Sequence, residues 1–367
     1  MTKVSAKNKL IVLTAGGTGG HVYPADALAT ELEKRGYEVV LFTDRRGLNN
    51  YKGKLGEIEN KAIYSGSVVG KSLLTKIMSL FKVCLGIVQA GYYLLKKRPY
   101  CVVGFGGYAS FPTAIAAVVL RIPLIVHEQN SVMSRTNRIL ARFANLVAQS
   151  FRKVKNTPPN VKSVLTGMPV RDTITLLYNK EYKERQSSEI MPIIILGGSQ
   201  GAKIFADIVP EAIKTLSLDK QELLEIYQQC RKDDIESLKV KYENIACKVV
   251  VSSFFENMPE LYEKSKLIIS RSGASSVYEI AAAGLPSILV PLPIAADNHQ
   301  YYNAEELAES GAGLVLNQKD FTAEKLGEVL DDFLDNSQKL KKMSDNAKKM
   351  AIVDAAKRLA DMVETVR

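Results

Sequence analysis

Cysteine is scarce in this chain and poorly spaced for chemistry. The four in 367 residues, Cys84, Cys101, Cys230 and Cys247, form no C-x-x-C pair and no metal-ligand spacing, which excludes a zinc or redox motif and fits reduced core thiols in a cytoplasmic protein. A dinucleotide fingerprint is also missing. Read from Gly17, the G-x-G-x-x-G pattern needs its third glycine where Val22 stands, although Asp44 lies near the distance at which the fingerprint's acidic residue belongs. Nor is any uncharged run long enough to span a bilayer. Lys76 and Lys82 interrupt residues 72–97 and leave at most 13 uncharged residues, 83–95, below the ~20 a spanning helix needs. The run 99–120 is broken by Gly104, Gly106, Gly107 and Pro112. The apolar stretch near the N-terminus is too short for a signal peptide and reads as a strand.

What is present is an ordinary globular composition, 46% hydrophobic and 24% charged, with length for two domains. Charge is unevenly placed. Residues 1–170 carry 24 Lys and Arg against 8 Asp and Glu, and the remainder 25 against 31. The net +10 therefore conceals a basic first half, which suits an anionic partner or a solvated basic surface, and a mildly acidic second half.

Short apolar runs alternate with helical patterns through the first half, at 10–13, 38–42, 101–103, 124–126 and 146–148. This alternation predicts a parallel sheet covered by helices on both faces. The pattern begins again at 193–196, so the fold class expected is α/β with two Rossmann-like, doubly wound domains facing a central cleft. The domain limits read from the sequence are 1–168, 169–345 and a C-terminal helical segment, 346–367, whose return onto the first domain is left open.

Glycine clusters follow several of these strands. Thr14 to His21 holds Gly16, Gly17, Gly19 and Gly20 between the first strand and a helix expected over 23–35, an arrangement able to cradle a phosphate on backbone N–H groups. Gly104, Gly106, Gly107 and Tyr108 repeat the motif in the same domain, and two such loops at neighbouring strand ends can grip both phosphates of a diphosphate. His127, Glu128 and Asn130 follow the strand before them and are expected at the carboxyl edge of the sheet, where binding and capping are equally open. In the second half, a strand over 266–269 leads through Gly273 into a helix over 274–283, with Glu279 placed to accept hydrogen bonds from two vicinal hydroxyls or to stand solvated. Asp297, Asn298, His299 and Gln300 add amide and imidazole groups suited to sugar hydroxyls.

Taken together and in order, the loops 14–21, 104–112, 127–130, 197–202, 270–286 and 297–304, with Gly167-Met168-Pro169-Val170-Arg171, resemble the MurG family. These are the undecaprenyl-diphospho-muramoylpentapeptide β-N-acetylglucosaminyltransferases of bacterial cell-wall synthesis. The resemblance implies a GT-B fold and inverting transfer of N-acetylglucosamine from UDP-GlcNAc to the 4-hydroxyl of the muramoyl sugar of lipid I, giving lipid II. It implies no metal and no cofactor; consistently, the chain has no Asp-x-Asp motif.

Carried over by motif, Thr18, Gly19, Gly20, Asn130 and Gln300 should surround the donor sugar. Arg171 and Ser199 should meet its diphosphate, Phe255 the uracil through its backbone, and Ala274, Ser275, Ser276, Val277, Tyr278 and Glu279 the phosphate and ribose. Gly16, Gly17, Gly106, Gly107 and Tyr108 fall to the acceptor diphosphate, with His127, Glu128 and His299 as further polar groups of the cleft. His21 is the expected general base, because imidazole titrates near neutral pH, or else a hydrogen-bond donor to the acceptor diphosphate. Lys71, Leu73, Leu74, Ile77, Phe81 and Lys82 form the expected anchor to an anionic membrane surface at its cytoplasmic face. Other cell-wall and division proteins are further expected partners; nucleic acid is not. The competing readings are a UDP-sugar 2-epimerase and a non-catalytic nucleotide-sugar-binding protein.

Overall fold

The computed structural model describes residues 9–16, 19–45, 53–66, 73–198 and 201–366. It divides into two compact units, Met1–Arg171 with Ile352–Arg367, and Asp172–Ala351.

The first unit is built on a parallel sheet of strands β1 (Leu10–Thr14), β2 (Glu38–Thr43), β3 (Glu59–Ala62), β4 (Cys101–Gly104), β5 (Leu124–Glu128), β6 (Leu146–Gln149) and β7 (Ser163–Leu165), in the order β3-β2-β1-β4-β5-β6-β7. Successive side chains of a strand face opposite ways. In β1, Ile11 and Leu13 join one core with Leu28, Leu32, Leu359 and Val363, and Leu10 and Val12 join the other with Ala90, Leu94, Ala114 and Ala117. Both faces are thus covered, as a parallel sheet requires. The C-terminal helix Ala355–Thr365 contributes Leu359 and Val363 to the first of these cores and is held at its rim by Arg35, whose Nη1 donates to Asp361 at 2.6 Å. Gly167, at φ 78°, lets the returning chain approach, because a Cβ there would lie 2.7 Å from Cβ of Ile352.

The second unit repeats the plan with β8 (Met191–Leu196), β9 (Leu224–Gln229), β10 (Lys248–Ser252), β11 (Leu267–Ser270), β12 (Ser287–Leu289) and β13 (Gly313–Val315), ordered β10-β9-β8-β11-β12-β13. Its core gathers Ile193, Ile195, Phe205, Val209, Ile226 and Ile269. Within each sheet the strand order reverses beside the first strand, between β1 and β4 and between β8 and β11. Ligands of open α/β sheets bind at such switch points, outside the carboxyl ends of the strands.

One expectation needs adjustment. The first helix spans Gly19–Lys34, four residues earlier than its apolar spacing indicates, so His21 lies in its opening turn. The segment 72–97, whose longest uncharged run falls short of a bilayer's span, is a single helix, Leu73–Lys97. Its stretch Thr75–Lys97 is long and apolar enough by length and composition to cross a membrane.

Candidate active site

In the first unit, Thr14 of β1 pairs with Gly104 of β4, so the two glycine loops leave adjacent strand ends at the switch point. They also touch: a Cβ on Gly16 would lie 3.5 Å from Cβ of Ala109. Gly106 and Gly107 have φ of 82° and 75°, a region that favours glycine. The position a Cβ would take on Gly107 is 3.5 Å from both Cδ2 and Nε2 of His21, which sets the imidazole of the first loop against the backbone of the second. A Cβ on Gly20 would meet nothing within 4 Å, so packing does not account for that glycine. Arg171 lies in this unit, its guanidinium 5.5 Å from the ring centroid of Tyr23. Tyr108 stands partly exposed in the first turn of the Gly107–Val119 helix. Gly17, Thr18, Ser199 and Lys71 lie outside the described residues.

His127 and Glu128, expected as polar groups of the cleft, are instead fully buried at the end of β5. Burial, reinforced by the nearby His21 and opposed by the Gly167 carbonyl, pushes the His127 imidazole down to about 4, so it is neutral at pH 7. Its Nε2 faces the Gly167 carbonyl at 3.4 Å and its Nδ1 accepts from Gln129 Nε2 at 3.1 Å; the same amide donates to the carbonyl of Phe105 at 2.7 Å. Gln129 thereby fixes the entry to the Gly106-Gly107 turn.

Glu128 is a hub for backbone. Its carboxylate accepts from the N–H of Asn130 at 3.0 Å and of Ser134 at 2.9 Å, and from Asn137 Nδ2 at 2.8 Å. Burial raises its pKa and these hydrogen bonds oppose the rise. Asn137, absent from the sequence-derived site, also reaches the carbonyl of His127 at 3.2 Å and flanks Gly106. Of this segment only Asn130 is partly exposed. Replacing Gln129 by leucine is expected to lower stability by about 1–3 kcal/mol, the cost of stranding buried acceptors. Urea unfolding measures it; an unchanged midpoint would show that Gln129 merely fills space.

In the second unit, Leu196 of β8 pairs with Ser270 of β11, placing Gly197 and Gly198 beside the 270–273 loop. Gly197 is required there, because a Cβ would fall 2.1 Å from the Ala202 nitrogen. The helix Ala274–Ala283 starts at Gly273 without a side-chain cap, leaving its first-turn N–H groups to meet an anion. Ala274, Val277 and Tyr278 turn their side chains into the core, and the Val277 N–H is taken by the Gly273 carbonyl at 3.0 Å. Direct contact from this helix thus narrows to the backbone of residues 274–276 and to the partly exposed side chains of Ser275, Ser276 and Glu279. Tyr262 donates to the Glu279 carboxylate at 3.2 Å.

Three further groups knit the surrounding loops. Arg271 Nη1 donates to the carbonyls of Val290 at 3.0 Å and Pro291 at 3.2 Å, and Nη2 to Gln318 Oε1 at 2.7 Å. Ser272 Oγ donates to the Gln300 carbonyl at 2.8 Å. Asn303, fully buried, donates to the Ser272 carbonyl at 3.1 Å. Arg271 was not among the sequence-derived site residues, though an arginine directly after an apolar strand and before Ser-Gly was the available signal. Gln300 Oε1 accepts from the Leu292 N–H at 3.0 Å, which leaves its Nε2 as the group to meet a ligand. His299 Nδ1 lies 2.7 Å from the Ala296 carbonyl; a carbonyl only accepts, so Nδ1 carries the proton. Asp297 and Asn298 have φ of 51° and 56°, costly conformations of the kind that cluster at ligand clamps. Phe255 lines a cavity of about 350 Å³ with Tyr227, Val250, Phe254 and Asn257. Among the described residues, no group of three or more His, Cys, Asp or Glu is placed to hold a metal ion.

Residues 11–149 match the glycosyltransferase family 28 N-terminal domain, and residues 192–359 its C-terminal domain. A Rhodospirillum rubrum protein named UDP-N-acetylglucosamine--N-acetylmuramyl-(pentapeptide) pyrophosphoryl-undecaprenol N-acetylglucosamine transferase is 42% identical over 353 residues, 96% of this chain and 91% of the relative. The crystal structure of Acinetobacter baumannii MurG superposes with a TM-score of 0.80 at 32% identity, covering 98% of this chain and 100% of that one. The chain belongs to the MurG family. It is therefore a glycosyltransferase with the GT-B fold. A relative of the same name from Agrobacterium fabrum is 38% identical over 357 residues, 97% of this chain and 94% of that one. A UDP-N-acetylglucosamine 2-epimerase superposes with a TM-score of 0.65 at 13% identity, over 97% of this chain and 96% of that one, a likeness in fold alone.

Proposed function

We propose that the chain transfers N-acetylglucosamine from UDP-GlcNAc to the 4-hydroxyl of the muramoyl sugar of lipid I, with inversion. The observation that carries this reading is the near full-length likeness to relatives named for that reaction. In the proposed chemistry the acceptor hydroxyl attacks the anomeric carbon of the donor sugar, His21 takes the hydroxyl proton, and UDP departs. Charge growing on the leaving diphosphate is met by the first turn of the Ala274–Ala283 helix, with Ser199 and Arg171 in the roles carried over by motif. Gly16, Gly17, Gly106 and Gly107 hold the acceptor diphosphate, and Glu279 the donor ribose. Incubation with labelled UDP-GlcNAc and a soluble, short-chain lipid I tests the reading. Label in a disaccharide-bearing lipid is expected; label remaining wholly in the donor would count against it.

The acceptor's lipid tail places the reaction at a membrane, and the helix Leu73–Lys97 supports that reading. Its exposed side includes Ile77, Phe81, Leu85, Val88, Tyr92 and Leu95, a stripe at helical spacing about 27 Å long. Its other side buries Ala90 and Leu94 in the first unit's core. A helix packed along one side fits an interfacial position, lying in the membrane surface at its cytoplasmic face. Leu73 and Leu74, two of the expected anchor residues, begin this helix, while the apolar stripe runs well past Lys82. Changing Ile77, Phe81 and Val88 together to glutamine is expected to reduce sedimentation with anionic vesicles, and to leave transfer to the soluble acceptor intact. Retained vesicle binding would assign the stripe another purpose.

A further inference from the structure

A cavity of about 600 Å³ in the first unit shares only Tyr108 with the expected diphosphate site and only Lys82 with the expected membrane anchor. Its floor is the carboxyl end of β2 and β3, where Asp44 and Arg45 follow one strand and Tyr64 and Ser65 the other. One wall is the helix Leu73–Lys97, which contributes Ser79 and Lys82. Two features fix that wall. Gly86 brings the helix onto the strand end, since a Cβ there would lie 1.9 Å from the Tyr64 carbonyl oxygen. Gln89 spans the joint, donating to the Ala62 carbonyl at 2.9 Å and accepting from the Tyr64 N–H at 3.0 Å.

The chemistry of the lining selects an occupant. Asp44 is only 5% exposed, and Arg45 stands above the Tyr64 ring at 5.8 Å, with Lys82 on the wall. A buried carboxylate in the lining disfavours a diphosphate, and hydroxyl, amide and charged groups disfavour an isoprenoid chain. Both signs of charge beside hydroxyls suit a peptide, which carries carboxylates, amides and amines together. The volume lies in the ordinary range for a small-ligand site. Tyr108, shared with the Gly106-Gly107 loop, places the cavity next to the expected diphosphate cradle.

We propose that this cavity binds the peptide branch of the acceptor, with Arg45 meeting a peptide carboxylate. This rests on the functional reading above, in which the acceptor's muramoyl sugar bears a pentapeptide. The test compares two soluble short-chain acceptors, one with the pentapeptide and one with the lactyl carboxyl capped as a methylamide. Arg45→Met is expected to raise KM for the peptide-bearing acceptor about tenfold, the loss of one charge-assisted contact. Its kcat, its KM for UDP-GlcNAc and its KM for the peptide-free acceptor should stay within twofold of wild type. The unchanged donor KM verifies that the variant is folded, and Arg45→Lys should recover part of the loss. An equal rise in KM for both acceptors would assign the cavity to the diphosphate or sugar, and no rise for either would leave Arg45 outside the site; each result overturns the proposal. No transfer by the wild-type chain to either acceptor would instead bring down the functional reading, and this inference with it.

Discussion

Replacing His21 by alanine is expected to lower kcat by about 10²- to 10⁴-fold, the usual contribution of a positioned general base, while UDP affinity is nearly unchanged. The imidazole sits against Gly107 in the first unit, in the pair of loops assigned to the acceptor. Burial holds its neighbour His127 neutral, so that imidazole adds no positive charge beside His21. Acceptor affinity must be measured beside turnover, because an imidazolium donating to the acceptor diphosphate would occupy the same place. If acceptor affinity collapses and single-turnover chemistry at saturation is normal, His21 binds the diphosphate and another group removes the proton.

The second large effect is expected at Glu279. Its change to alanine should weaken UDP binding by roughly 1.5–3 kcal/mol, about ten- to a hundredfold, because ribose hydroxyls lose a charged acceptor. Tyr262 supplies the control. Since its hydroxyl donates to the Glu279 carboxylate, a merely structural glutamate would show reduced stability and unchanged UDP affinity, and Tyr262→Phe would reproduce that loss. Calorimetric titration with UDP, beside thermal unfolding of both variants, separates the two.

Much of this architecture is legible in the sequence because central strands of a parallel sheet are buried on both faces and read as apolar runs. Leu10 to Leu13 and Ile193 to Leu196 are such runs. The edge strands β3 and β7 escaped for the same reason in reverse: Glu59-Asn60-Lys61-Ala62 is polar, and becomes a strand through pairing with β2. Glycine clusters located the loops because close backbone approach leaves a compositional trace. Burial leaves none at His127 and Glu128, whose polar side chains suggested a binding edge although backbone groups and neighbouring amides satisfy them inside. The longest uncharged run, 83–95, understates the helix Leu73–Lys97, because a count of uncharged residues stops at its lysines. On an amphipathic helix they can flank the apolar stripe without ending it.

The central claim is inverting sugar transfer from a nucleotide donor, and the anomeric configuration of the product tests it most directly. UDP-GlcNAc, whose sugar is α-linked to the diphosphate, would be incubated with the wild-type chain, with and without the soluble muramoyl-pentapeptide acceptor, and followed by proton NMR. The account predicts a β-1,4-linked disaccharide that forms only when acceptor is present, with the donor sugar otherwise unchanged. An α-linked product, or conversion of UDP-GlcNAc to its 2-epimer in the absence of acceptor, would contradict it.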